Sequence, residues 1–236
     1  MSAELVDLTV HIDIGRWSET VVDSVDVVVP DGQLTALLGG PGSGKSIVVA
    51  ALSGLLPASA TVSGQARVNG SAIETESEWQ ELRGATLGCV PQEAVTAFDP
   101  AVTIGEQLRE LERTHDRWSV ERACGAARYP AGKLDLYPHQ ASAGEAKRAA
   151  LAAALLTAPA VLLVDEPSAA LDFELKYAVW ETLREYADAG AAVLAVTNDV
   201  AILAATGVAD QLVVMDNGRV FSTGSSVDAL GWPDVR

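Results

Sequence analysis

Eight residues constrain the fold of this chain more than any others: Gly39-Gly40-Pro41-Gly42-Ser43-Gly44-Lys45-Ser46. They fit the pattern G-x-x-x-x-G-K-[ST], and the flanking sequence fits the context that pattern requires. Asp31-Gly32 makes a turn and Leu34 to Leu38 reads as a buried strand. After the loop, Ile47, Val48, Ala51, Leu52 and Leu55 share one face of a helix that Pro57 is expected to close. Glycines between a strand and a helix let successive backbone N–H groups curl around phosphate oxygens, and the helix N-terminus adds a favourable dipole. Lys45 is placed to reach the outer phosphates and the Ser46 hydroxyl to ligate Mg2+. The alternative is a glycine-rich turn that merely precedes a helix.

Such a loop needs a second carboxylate for the metal. The apolar run Val161-Leu162-Leu163-Val164 ends in Asp165-Glu166. A carboxylate at a strand's C-terminal end lies beside the loop in such a fold, where Asp165 can hold Mg2+ through water. Glu166 points differently and is placed to polarise an attacking water. Otherwise the strand simply ends in a solvated acidic turn.

The rest of the chain supplies an α/β frame. Val25, Val27 and Val29 alternate with Ser24 and Asp26, residues 62 to 73 read as a strand pair around Asn69-Gly70, and the span 76–156 is helix-rich. Strands return at Val161–Val164 and Ala191–Val196, and a hairpin joins Leu212–Met215 to Arg219–Ser222. The expectation is one domain over residues 1–236, with a helical subdomain at about 76–156 inserted in the α/β core. Sixteen Lys and Arg against 32 Asp and Glu give a net charge of −16, and the basic residues do not cluster, so a nucleic-acid partner is not expected. Cys89 and Cys124 stand apart, which suits free thiols rather than a disulfide framework. The N-terminus carries no secretion signal, and the most apolar stretch, Ala149 to Val164, is broken by Thr157 and Pro159 and is too short to span a bilayer.

The run from Val161 to Asp172, with Asp165-Glu166 and Ser168-Ala169-Ala170-Leu171-Asp172, resembles the second nucleotide motif and D-loop of ABC-type ATPases. Gln92 stands where that family has its Q-loop glutamine, and Ala141-Ser142-Ala143-Gly144-Glu145 occupies the place of its signature motif. The order and spacing match from about Leu5 to Leu230. The resemblance implies an ABC ATPase fold: a P-loop core, an N-terminal antiparallel β-subdomain and the helical insertion. It implies ATP and Mg2+ as cofactors, with Gln92 at the metal and the Ser142, Ala143, Gly144 and Glu145 segment facing a partner's ATP. It further implies a head-to-tail ATPase dimer on transmembrane permease subunits at the cytoplasmic face of the membrane, and an extracytoplasmic substrate-binding protein. It also implies that the permease docks in the groove lined by the Gln92 segment. Tyr137-Pro138-His139-Gln140 and Phe98-Asp99-Pro100 resemble the ATPases of peptide/nickel importers, and the lack of a long C-terminal extension is similar to the nickel-type members.

Three positions depart from the family pattern. The usual Leu-Ser-Gly-Gly-Gln is here Ala141 to Glu145, with Ala143 in place of a glycine, though Ser142-x-x-Glu145 also reads as a helix capping box. The switch histidine is replaced by Asn198, which can contact a γ-phosphate but carries no charge, and which could instead cap the helix starting near Val200. The adenine-stacking aromatic is expected near Glu19, where Trp17 is the nearest ring; a plain surface or core tryptophan is the alternative. In a homodimer every site would combine both defects, whereas a heterodimer separates them, so a heterodimer with a better-conforming ATPase is expected. The alternatives are a soluble ABC-type ATPase without a transporter, or a nearly inactive subunit completing a heterodimer.

Overall fold

In the computed structural model, residues 1–227 and Leu230 are described. The chain begins with β1 (Ala3–Asp13), β2 (Ser18–Val29), β3 (Leu34–Gly39), α1 (Lys45–Ser53), β4 (Ala60–Val68) and β5 (Ser71–Ala72). It continues through α2 (Glu76–Leu82), β6 (Leu87–Val90), α3 (Ile104–His115), α4 (Val120–Ala126) and α5 (Ala143–Leu156). It closes with β7 (Val161–Asp165), α6 (Phe173–Asp188), β8 (Ala192–Thr197), α7 (Val200–Thr206), β9 (Gln211–Asp216) and β10 (Arg219–Gly224).

Two sheets result. An antiparallel one runs β2-β1-β4-β5, and a six-stranded one runs β10-β9-β3-β8-β7-β6. In the second, β9, β3, β8, β7 and β6 are mutually parallel, and only β10 turns back along β9. Period-two alternation divides the core between its faces. Leu34, Ala36 and Leu38 of β3 join Leu162, Val164, Val193 and Ala195 in the layer under α5 and α6. Leu37, Leu163, Leu194 and Val196 face the opposite way, toward α1 and the antiparallel sheet. Both faces are covered, which is why β3, β7 and β8 are buried at every position and mostly apolar rather than alternating. On β2, by contrast, Val25, Val27 and Val29 are buried while Ser24 and Asp26 are exposed, as the alternation predicts.

Two boundaries differ from the sequence expectation. α1 ends at Gly54, not Pro57: Gly54 takes φ 65°, its N–H returns to the last carbonyls, and Leu55 is left exposed. Trp79 of α2 packs so tightly there that a Cβ on Gly54 would lie 2.3 Å from its ring. The span 76–156 is also not uniformly helical. β6 lies inside it and pairs in parallel with β7, Leu87 opposite Val161 and Val90 opposite Val164, as the edge of the core sheet. Among the described residues no helix is long and apolar enough to cross a membrane.

Candidate nucleotide site

Parallel strands bring their C-terminal ends to one edge, and chemistry gathers there. Leu38 lies opposite Thr197, Asp165 opposite Val196, and Val90 opposite Val164. The loop from Gly39 to Ser46, the Gln92 segment, Asp165-Glu166 and Asn198 therefore all leave the sheet along the same rim. These sequence-predicted residues come together because of strand direction alone.

The glycine loop is wound as phosphate binding requires. Gly42 and Gly44 have φ 77° and 98°, and a Cβ at Gly44 would also meet the Val21 carbonyl oxygen at 2.8 Å. Ser43 donates its N–H to the Gly40 carbonyl at 3.2 Å, closing a turn around Pro41. Lys45 is buried, and its ammonium donates to the Gly39 and Gly40 carbonyls at 2.7 and 2.9 Å, with the Ser43 hydroxyl at 3.4 Å. Among the described residues it forms no ion pair. Burial lowers its pKa, while the Glu166 and Asp165 charges act to raise it. Beside the loop opens a groove of about 530 Å³, lined among others by Trp17, Val21, Ser46 and Asn217. Trp17 is 41% exposed at its rim.

Asp165 is the buried last residue of β7. Glu166 leaves the sheet with φ 53°, a left-handed conformation that costs a non-glycine residue of order 1 kcal/mol, and is held there by its N–H to the Val196 carbonyl at 2.8 Å. The turn separates the two carboxylates in direction. Burial raises the Glu166 pKa, the Asp165 charge raises it further, and the Asn198 N–H, Lys45 and the Thr197 hydroxyl oppose the shift. Thr197 Oγ1 donates to Glu166 Oε2 at 3.3 Å. Asn198 is exposed and, with Glu166, Ser168 and Lys176, lines a shallow cavity of about 380 Å³. It does not cap α7. Asp199 does, accepting from the Ile202 N–H at 3.3 Å, because its own N–H is turned back onto Thr197 Oγ1 at 3.0 Å.

Ser142, Ala143, Gly144 and Glu145 open α5 and line none of the groove beside Lys45. The capping box read from sequence is present: Ser142 Oγ accepts from the Glu145 N–H at 3.2 Å, and the Glu145 carboxylate accepts from the Ser142 N–H at 2.9 Å. Those two groups, with Lys133 at 3.5 Å, hold the Glu145 carboxyl below its usual range. Gly144 lies against the D-loop, where a Cβ would sit 2.8 Å from Leu171 and 3.0 Å from the Ala170 carbonyl oxygen. Asp172 caps α6, accepting from the Leu175 N–H at 2.9 Å.

Sequence reasoning missed several polar residues. Lys147, on α5, is 4% exposed and donates to carbonyls of Pro91, Gln92 and Asp165. Lys176 pairs with Asp199 at 2.5 Å, and the Trp180 indole N–H reaches Ser168 at 3.3 Å. Only Lys147 left a signal, as a charge on the helix face otherwise made of Ala and Leu.

The donor set fits a metal-bound triphosphate. Ser46, Gln92 and Asp165 offer hard oxygens suited to Mg2+, and Lys45 is a cation bonded only to neutral oxygens. Phosphate-loop nucleoside-triphosphate hydrolases are the class that this fold and this rim define. Within that class the chain belongs to the ABC transporter family, whose model matches residues 22–169. The oligopeptide transport ATP-binding protein OppD of Escherichia coli (strain K12) is 30% identical over 239 residues, 96% of this chain and 70% of that protein. The dipeptide transport ATP-binding protein DppD of Haemophilus influenzae is 28% identical, covering 98% and 73%. For OppD of Mycobacterium tuberculosis the identity is 32% over 92% of this chain, but only 37% of that longer protein. A dimeric ATP-binding cassette in a post-hydrolysis state bound to ADP and Pi superposes with a TM-score of 0.82 at 21% identity, covering 94% of this chain and 97% of that one. The chain is an ABC ATPase, an ATP-hydrolysing transporter subunit that uses ATP with Mg2+.

Proposed function

We propose that this chain powers an importer of peptides, the class named by its relatives; nickel complexes are the less favoured cargo. The observation that carries the residue assignments is the buried Lys45 ammonium, bonded only to neutral oxygens and without an ion pair among the described residues, on the rim where β3 and β7, separated by β8, both end. Residues Gly39 to Ser46 wrap the phosphates and Lys45 neutralises the outer ones. Ser46, Gln92 and Asp165 hold Mg2+, which neutralises charge on the phosphate oxygens. Glu166 accepts a hydrogen bond from the attacking water, drawing off its proton as the water oxygen bonds to the γ-phosphorus and the bridging P–O bond breaks toward ADP. Its raised pKa makes it a stronger base than an exposed carboxylate. Asn198 contacts the γ-phosphate as a neutral donor, and Trp17 lies along the adenine from the groove rim.

In this reading the helical subdomain at about 76–156 presents Ser142, Ala143, Gly144 and Glu145 to the ATP of a second chain, with Asp172 in the D-loop between them. That second chain is a different ATPase, so the two sites are inequivalent. The pair docks peripherally on permease subunits at the cytoplasmic face of the membrane, in series with an external substrate-binding protein. Affinity purification of the tagged chain from detergent-solubilised membranes tests the assembly. Integral membrane subunits and a second ATPase should be recovered with it; the chain recovered alone, with brisk cooperative turnover by itself, would contradict the reading.

A further inference from the structure

Lys147 occupies a position where chemistry, not packing, explains a charge. Of its neighbours on α5, Ala146, Ala150 and Leu151 are buried and apolar, while the buried Arg148 turns to the Gly144 and Arg128 carbonyls. An unbranched apolar side chain would fill the same space without the desolvation that an ammonium suffers. Lys147 has no ion-pair partner among the described residues. Instead Nζ donates to the Pro91 oxygen at 2.7 Å, the Asp165 oxygen at 2.8 Å and the Gln92 oxygen at 2.9 Å. An ammonium has three protons, and all three are used. Desolvation is severe enough to bring its pKa to about 8, although the Asp165 and Glu166 charges act to raise it.

The acceptors identify the role. β6 and β7 are already joined by their own ladder up to Val90 and Val164. The Lys147 bonds begin where that ladder stops, on the backbone of Pro91 and of Gln92 and Asp165, the last two being residues whose side chains are assigned to the metal. We propose that Lys147 is a positioning residue that clamps Gln92 and Asp165 into a single metal-ready geometry and ties it to the start of α5, where Ser142 and Gly144 lie. The inference rests on the assignment of Gln92 and Asp165 to Mg2+ given above. Residues that orient metal ligands from behind typically change metal affinity or activity by about 10- to 100-fold when removed.

The test uses the full chain, with the partner ATPase present for turnover, carrying Lys147→Met, which keeps length and apolar bulk, or Lys147→Gln, which keeps two of the three N–H donors. Fluorescent ATP-analogue binding is measured in EDTA and across a Mg2+ titration, beside steady-state turnover. Nucleotide affinity in EDTA should be unchanged in both variants, because the glycine loop is untouched. The Mg2+ concentration giving half-maximal enhancement of binding should rise about tenfold in Lys147→Met, with kcat falling by a similar factor, and Lys147→Gln should fall between it and wild type. A wild-type Mg2+ requirement in Lys147→Met, or in Lys147→Gln should the first variant not fold, would overturn the proposal. So would loss of EDTA binding in step with kcat, which marks a merely structural lysine. Wild-type binding and turnover indifferent to Mg2+ would instead remove the metal assignment itself, and the proposal with it.

Discussion

At the scale of single residues, the most informative position is Asn198. Its neighbour Asp199 takes the helix cap, the Lys176 ion pair and the hydrogen bond to Thr197, which leaves the Asn198 side chain free of structural duty and exposed beside Glu166. Replacing it with histidine therefore costs no cap. An imidazole donor that can carry charge interacts better with developing phosphate charge, and a hydrogen bond to a charged group is worth about 1.5–3 kcal/mol. Asn198→His should raise turnover at this chain's own glycine-loop site about tenfold, with a melting temperature indistinguishable from wild type. An ATPase assay and a thermal melt on the same sample, with the partner ATPase present, check both halves. Unimproved turnover would show that residue 198 does not face the γ-phosphate. The assignment of the cap was beyond sequence reasoning, since Asn198 and Asp199 are both good capping residues and only the backbone turn at Thr197 selects between them. Asp165-Glu166 was readable because its chemistry is contiguous with the strand that positions it. Lys147 was not, because its three acceptors lie 18 to 56 positions away along the chain.

At the scale of elements, capping boxes start α2, α3 and α5, with Glu78, Glu106 and Glu145 each returning to an N-cap Thr or Ser. The box on α5 presents the segment that this account aims at a partner's ATP. Glu145 has its pKa lowered from 4.5 by the Ser142 N–H and hydroxyl, so its contribution to stability is present above about 4.5 and is lost as pH falls through the lowered folded value. Ser142→Ala should lower stability by about 1 kcal/mol at pH 7. Denaturant titrations of the Glu145→Gln variant against wild type should show a deficit at neutral pH that shrinks as pH drops below 4.5. A deficit independent of pH would mean the carboxylate charge plays no part. The alternating strands and the Ala-rich helix were evident from periodicity. β6 was hidden because its four residues sit among helices and their pattern is set by burial against β7, not by local sequence. The end of α1 was misplaced for a similar reason: Gly54 and the packed Trp79 stop the helix before Pro57 can.

At the scale of the molecule, strand direction organises everything else. Five parallel strands point the glycine loop, the Gln92 segment, the two carboxylates and Asn198 to one rim, while the α5 start lines none of the groove beside Lys45. In the proposed reading, one chain holds one half of its own site and one half of another's. The net charge of −16 suits association with protein partners and not with a phosphate backbone. In the proposed mechanism Glu166 draws the proton from water at a site whose phosphate grip is independent of it. Glu166→Gln keeps the shape of the side chain and removes its basicity, so ATP occupancy and turnover should separate. Bound nucleotide analysed by chromatography, with turnover measured on the same complex, is the most direct measurement. ATP should be retained unhydrolysed at wild-type occupancy, with turnover reduced by about 100-fold or more; undiminished turnover in Glu166→Gln would show that Glu166 is not the base.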